Sequence, residues 1–141
     1  MKRIIALILL VFCIAGLFTA CSKEEESTLE IKDIENVTIS LKGLSATGAT
    51  VIIKDTNAEP FTYGEWYKIE RLKKGKWYSV KTVIDDYAFN EIGYIIDQLS
   101  ETRELVLDIN WRWLYGILEK GDYRLIKEVE RNYIAVEFSI E

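Results

Sequence analysis

Beyond residue 36, apolar and polar positions alternate with a period of two along much of the chain. Val37, Ile39 and Leu41 alternate with Thr38, Ser40 and Lys42, which predicts a strand with one buried face. Residues 43–48 read as a turn, and the β-branched run 50–53 as a second strand. Asp55-Thr56-Asn57 and Pro60 mark a loop. A third strand is predicted over residues 66–72, and Lys73-Lys74-Gly75-Lys76 reads as a tight hairpin into a fourth over 77–83. Ile92, Ile95, Ile96 and Leu99 have the spacing of a helical stripe, but Gly93 interrupts it and a strand over 91–96 is the preferred reading. Leu105, Leu107, Ile109 and Trp111 alternate again, and residues 113–120 read as a crossover with one helical turn. The apolar phase of the next strand, 123–129, includes Lys127, so that strand is expected to be bulged or partly open to water. In the last strand Ile134, Val136, Phe138 and Ile140 share one face. Seven or eight short strands without a strong helix predict an all-β antiparallel sandwich.

The amino terminus follows a different pattern. Lys2 and Arg3 precede an uncharged apolar run of 15 residues, Ile4 to Phe18, which is too short for a spanning helix and has the flanks of a signal sequence. Thr19 and Ala20 then lead into Cys21. This arrangement resembles the lipobox of bacterial lipoproteins, with Phe18 where an aliphatic residue is usual. The resemblance implies loss of residues 1–20, acylation of Cys21 and attachment to the extracytoplasmic face of the cell membrane. Residues 21–30, with the Glu24-Glu25-Glu26 run, are expected to be the lipidated terminus and a flexible acidic spacer, and 31–141 the folded domain.

Composition then removes whole classes of function. The chain of 141 residues has no histidine, which eliminates imidazole base catalysis and the commonest transition-metal ligand. Processing would take the formal charge from −5 to −7, and that balance argues against a nucleic-acid partner. Cys13 would leave with the signal and Cys21 would be acylated, so neither a disulfide framework nor a thiolate nucleophile is expected.

One spacing is more specific than the strand pattern. Leu118-x-x-Gly121-x-Tyr123 fits a tyrosine corner, in which the tyrosine hydroxyl turns back to upstream backbone. The alternative is a turn glycine followed by an ordinary strand tyrosine. Taken further, Trp111-x-x-Leu114-Tyr115-Gly116-x-Leu118-x-x-Gly121-x-Tyr123-Arg124-Leu125-x-Lys127 resembles the signature of a bacterial immunoglobulin-like domain family found in lipoproteins and other exported proteins. The resemblance spans most of residues 36–141, with Trp111, Tyr115, Gly121 and Tyr123 as its structural motif. Trp113 and the Glu119-Lys120 pair depart from the pattern. The resemblance implies an immunoglobulin-like sandwich and no reaction, and fold alone does not fix function.

Candidate chemistry is sparse. Asp85-Asp86 and Glu59/Glu65 are the available carboxylate pairs for acid–base work, but solvated loop residues account for them as well. Asp55-x-Asn57, Asp85-Asp86 and Asp108-x-Asn110 offer oxygens for calcium without matching a known loop, and turn chemistry explains them equally. Neither a cofactor nor a metal is expected. Aromatic residues are left over: four tryptophans, eight tyrosines and, beyond the signal, three phenylalanines. Trp66, Trp77 and Trp113 are the candidate ligand-binding residues, since alternation sends one member of Trp66-Tyr67 and of Trp77-Tyr78 outward. The competing account packs these rings across strands or under loops. The expected function is a lipid-anchored binding or adhesion module for an envelope glycan or protein. The alternative is an accessory subunit or inhibitor of a membrane or secreted enzyme, and a small two-carboxylate hydrolase is a weaker third.

Overall fold

A computed structural model describes residues 23–141; the expected signal sequence and Cys21 lie outside the described residues. Eight strands form two antiparallel sheets, the sandwich expected from the alternation. Strands β1 (Val37–Ser45), β2 (Gly48–Asp55) and β6 (Glu104–Asn110) make a three-stranded sheet in the order β1-β2-β6. The second sheet has the order β4-β3-β7-β8, from β3 (Thr62–Lys73), β4 (Lys76–Ser79), β7 (Gly121–Val129) and β8 (Asn132–Ile140). A short β5 (Gly93–Ile95) pairs with the beginning of β3, ahead of the stretch of β3 that pairs with β4. The strand expected over 91–96 is thus present but shorter, Gly93–Ile95, and α1 (Arg112–Tyr115) supplies the helical turn of the crossover. Among the described residues no helix is long and apolar enough to cross a membrane.

Local chemistry explains the register. Lys74 and Gly75 both take positive φ, +50° and +77°, the geometry of a two-residue turn whose twist matches that of its strands. Lys73 therefore pairs with Lys76, and Trp77 with Leu72. The fourth strand stops at Ser79, short of the predicted residue 83. Where it peels away, the Ile69 amide donates instead to the Tyr115 hydroxyl, at 3.3 Å. The Ile69 carbonyl accepts from the Val80 amide at 3.1 Å, and burying either group without its partner would cost its desolvation.

Lys127 corrects the expectation for β7. That strand pairs with β8 without interruption, and the irregularity lies opposite, in β3: Tyr63 faces Val129 and Tyr67 faces Lys127, leaving Gly64, Glu65 and Trp66 across from Glu128 alone. Nor is Lys127 open to water. Its side chain is fully buried, and its ammonium donates to the Gly64 carbonyl at 2.6 Å.

Outer-face burial explains a second correction. Arg124 and Ile126 alternate with the core residues Tyr123 and Leu125, yet they are buried too. The cover is the segment expected to be a solvated spacer. Glu25 accepts from the Ser79 amide at 2.9 Å, the Ser27 amide donates to Trp77 at 2.8 Å, and the Lys32 amide donates to Tyr133 at 2.8 Å. From Glu25 onward the segment is part of the sheet's surface. Beneath it Arg124 bonds Glu70 through Nε, at 2.8 Å, and lies over the Trp77 ring, 4.6 Å from its centroid.

The crossover joins the sheets. Trp111 is fully buried, its indole donating to the Ala46 carbonyl at 3.0 Å, and its ring stacks on Phe138, which in turn stacks on Tyr123. The Tyr123 hydroxyl donates to the Glu119 carbonyl four residues upstream, at 2.7 Å, the geometry of a tyrosine corner. Gly121 leaves room for Arg71, whose guanidinium would lie 3.0 Å from a Cβ there and which donates to the Lys120 carbonyl at 2.8 Å. Tyr123→Phe is expected to cost about 1–3 kcal/mol in urea unfolding, since a carbonyl loses its donor while packing is retained. A change below about 0.3 kcal/mol would show that the hydroxyl does not pin the crossover.

Candidate functional site

Among the described residues strand β6 pairs only with β2, and its other edge is open. Along that edge runs a groove of about 530 Å³, lined by the five consecutive residues 106–110. Its opposite wall is the β4–β5 connection with Phe89 and Asn90, together with Tyr94 of β5. Glu65 and Tyr67 of β3 also line it, as does Trp113 of α1 beyond Asn110. The β3 irregularity that buries Lys127 contains Glu65, so one distortion shapes both the groove and the charge behind it.

Phe89 organises the aromatic part. Its ring lies 5.1 Å from Tyr67, 6.0 Å from Tyr87 and 5.9 Å from Trp113, all edge-on, the favoured arrangement of ring quadrupoles. Trp113 and Tyr87 form the outer surface of this cluster, each 44% exposed. The polar part centres on Glu65, whose carboxylate accepts from Asn90 Nδ2 at 2.8 Å and from the Tyr94 hydroxyl at 2.9 Å. Those two hydrogen bonds, Asn90 first, hold the Glu65 carboxyl below the usual carboxylate range. Burial pushes the Tyr67 hydroxyl up to about 12, against a smaller downward pull from the Trp113 indole N–H, and the hydroxyl's own hydrogen has no acceptor within hydrogen-bond distance. An orphaned donor in the lining of a groove marks a position where a water or a ligand oxygen would be stabilised.

The three candidate tryptophans do not come together. Trp113 lines the groove, whereas Trp77 lies under Arg124 on the outer face of the larger sheet. Trp66 packs against Tyr133 on that same face, with ring centroids 5.8 Å apart. Both are half-buried cross-strand residues. Trp111, Tyr115, Gly121 and Tyr123 belong to the crossover and the core, and Cys21 lies outside the described residues. Tyr67, Phe89, Asn90 and Tyr94 were not singled out by the sequence. The run Tyr87-x-Phe89, with Tyr94 beyond it, is a usable signal, because a loop between short strands seldom needs so many rings.

The candidate calcium oxygens have other uses. The Asp55 carboxylate accepts from the amides of Asn57 and Phe61, from Asn57 Nδ2 and from the Tyr63 hydroxyl, all within 3.0 Å. Burial pushes its pKa up, but these donors outweigh burial and leave it lowered. Asp108 accepts from Thr50 at 2.6 Å, and Asp85 and Asp86 are exposed. Among the described residues no cluster of three or more acidic, histidine or cysteine side chains is placed to hold a metal.

A two-sheet sandwich closed by a buried crossover tryptophan and a tyrosine corner agrees with what sequence comparison finds. A family model described as a bacterial Ig-like domain matches residues 25–139. The chain belongs to the bacterial Ig-like domain family. No curated protein and no solved structure gives a match. The match begins where the amino-terminal segment first bonds to β4, so the Ig-like domain includes residues expected to be spacer.

Lys127 gives this Ig-like domain a characteristic pH response. Burial pushes its ammonium down to about 8 from an ordinary 10.5, against a smaller upward pull from Glu65. Below pH 8 both folded and unfolded chains are protonated and the burial cost is fully present. Between 8 and 10.5 only the unfolded chain keeps the proton, so stability rises with pH. Relative to Lys127→Met, the wild type should gain about 2–3 kcal/mol between pH 7 and pH 10 in denaturant titrations. The comparison stops at pH 10 because Tyr63 and Tyr115, both raised first by burial, act in the opposite sense above it. Parallel curves would mean that Lys127 is charged at no cost.

Proposed function

We propose that this chain is a lipid-anchored Ig-like module on the extracytoplasmic face of the cell membrane, binding an envelope glycan in the β6 groove without catalysis. The observation that carries the reading is the composition of the groove: exposed Trp113 and the rings of Phe89 and Tyr67 beside the oxygens and amides of Glu65, Asn90, Asp108 and Asn110. Sugars present apolar ring faces and a hydroxyl periphery, and such a lining addresses both. The volume lies within the range of about 300–1,000 Å³ common for small-ligand sites.

Binding is favoured over hydrolysis by the state of the carboxylates. Glycoside cleavage needs one carboxyl with a raised pKa as general acid. Glu65 is shifted the other way by Asn90 and Tyr94. Anchoring rests on the Thr19-Ala20-Cys21 sequence after its apolar run. Incorporation of a palmitate analogue in cells should mark the wild type and spare Cys21→Ala, and equal labelling of both would sink the anchor.

For the groove, tryptophan fluorescence of residues 22–141 would be titrated with chito-, gluco- and xylo-oligosaccharides of four to six units and with soluble peptidoglycan fragments. At least one series should saturate, and Trp113→Ala should weaken it by tenfold or more, while Trp66→Ala leaves it unchanged. Saturation that Trp113→Ala does not alter, or none with any series, would overturn the glycan reading.

A further inference from the structure

The crossover that presents Trp113 to the groove also presents an apolar surface beside it. Val83 and Ile117 are 61% and 63% exposed, and Ile84 and Tyr87 lie in the same loop as Val83. They are held together by backbone. The Val83 amide donates to the Leu114 carbonyl at 2.8 Å, and a Cβ at Gly116 would touch the Val83 side chain at 3.4 Å. Tyr87 meets Trp113 with ring centroids 6.2 Å apart. Apolar side chains held this far out of the core by a hydrogen-bonded backbone call for a cover.

The start of the chain indicates what that cover is. Glu24 and Ile117 border one small cavity, and Lys23 and Tyr87 border another. The backbone therefore enters the domain next to the patch, and Cys21 is two residues ahead of Lys23. Two residues reach roughly 7 Å at most. An acyl group on Cys21 would thus keep the bilayer surface within roughly 7 Å of chain from Lys23, which shares a cavity with Tyr87, and close to Glu24, which shares one with Ile117. Tyrosine beside aliphatic residues suits the boundary between headgroups and acyl chains. Exposed Lys81 and Arg112 adjoin the patch in sequence, and so does the Asp85-Asp86 pair, so apolar contact rather than net charge defines it.

We propose that Val83, Ile84, Tyr87 and Ile117 dock on the lipid bilayer and orient the domain, with the β6 groove running outward from the membrane. This rests on the reading that Cys21 carries the lipid. A second apolar position, Leu99, is 92% exposed but lies beyond the far end of β6, away from the chain's entry. It therefore serves as the control.

The test uses the full chain, processed and acylated in cells, carrying Ile117→Cys, Val83→Cys or Leu99→Cys. Each thiol is labelled with an environment-sensitive fluorophore, and the protein is reconstituted in phosphatidylethanolamine–phosphatidylglycerol vesicles with or without brominated acyl chains. Labels at 117 and 83 should be quenched at least twofold more by brominated lipid than the label at 99, and reached severalfold less by aqueous iodide. Equal responses at all three positions on vesicle-bound protein would overturn the docking. Failure of the anchor reads differently: intact mass shows Cys21 without acyl groups and the probe labels it as well. In that event the same variants, with Cys21→Ser, are tethered through an amino-terminal hexahistidine to nickel-chelating lipid. The quenching contrast between 117 and 99 then supports or refutes the patch by the same criterion.

Discussion

The crossover between β6 and β7 has to carry the chain from one sheet to the other while burying Trp111 at its start and Tyr123 at its end. One wall of the groove and the neighbouring apolar patch both depend on how that is done. Trp111 fixes the beginning by stacking on Phe138 and donating to Ala46. The amides of Trp111 and Leu118 donate to the carbonyls of Thr47 and Ala46, tying the crossover to the β1–β2 turn. Tyr123 fixes the end through the Glu119 carbonyl. Between these pins, geometry sorts the side chains: Leu114, Tyr115 and Leu118 go in, and Trp113 and Ile117 go out.

That sorting explains why one short segment serves two surfaces. The buried face of α1 satisfies the Ile69 amide through Tyr115, while its exposed face gives the groove Trp113. Ile117, one residue past Gly116, turns toward the side on which the amino-terminal segment enters. The other wall of the groove depends on a second departure from regularity, the extra residues of β3 opposite Glu128. They bring Glu65 to Asn90 and Tyr94 and leave the Gly64 carbonyl for the Lys127 ammonium. A buried lysine there is costly, and its hydrogen bond to backbone offsets only part of that cost.

Much of the fold was legible in residue order, because alternation is set by which face of a strand is wet. β1, β6 and β8 show it plainly, and the Lys74-Gly75 turn and Tyr123 announce themselves by backbone and hydroxyl chemistry. Lys127 misled because periodicity reports polarity, whereas the partner that buries it is a bulge in a strand some sixty residues away. The acidic run 24–26 misled similarly: its charges face water, as composition implies, but its backbone completes the edge of β4. The groove was only half legible. Trp113 stood out as an extra tryptophan, but Phe89 and Tyr94 acquire meaning only when β5 folds back on β3 opposite the open edge of β6.

Native-state hydrogen exchange is the most direct test of the pinned crossover. The amides of Trp111, Arg112, Tyr115 and Leu118 should exchange with opening free energies close to those of Leu125 in β7, because the crossover cannot open while the sheets stay closed. If those four exchange through a low-energy local opening while Leu125 remains protected, the crossover is a loose connection, and neither the groove nor the apolar patch has the rigid support described for it.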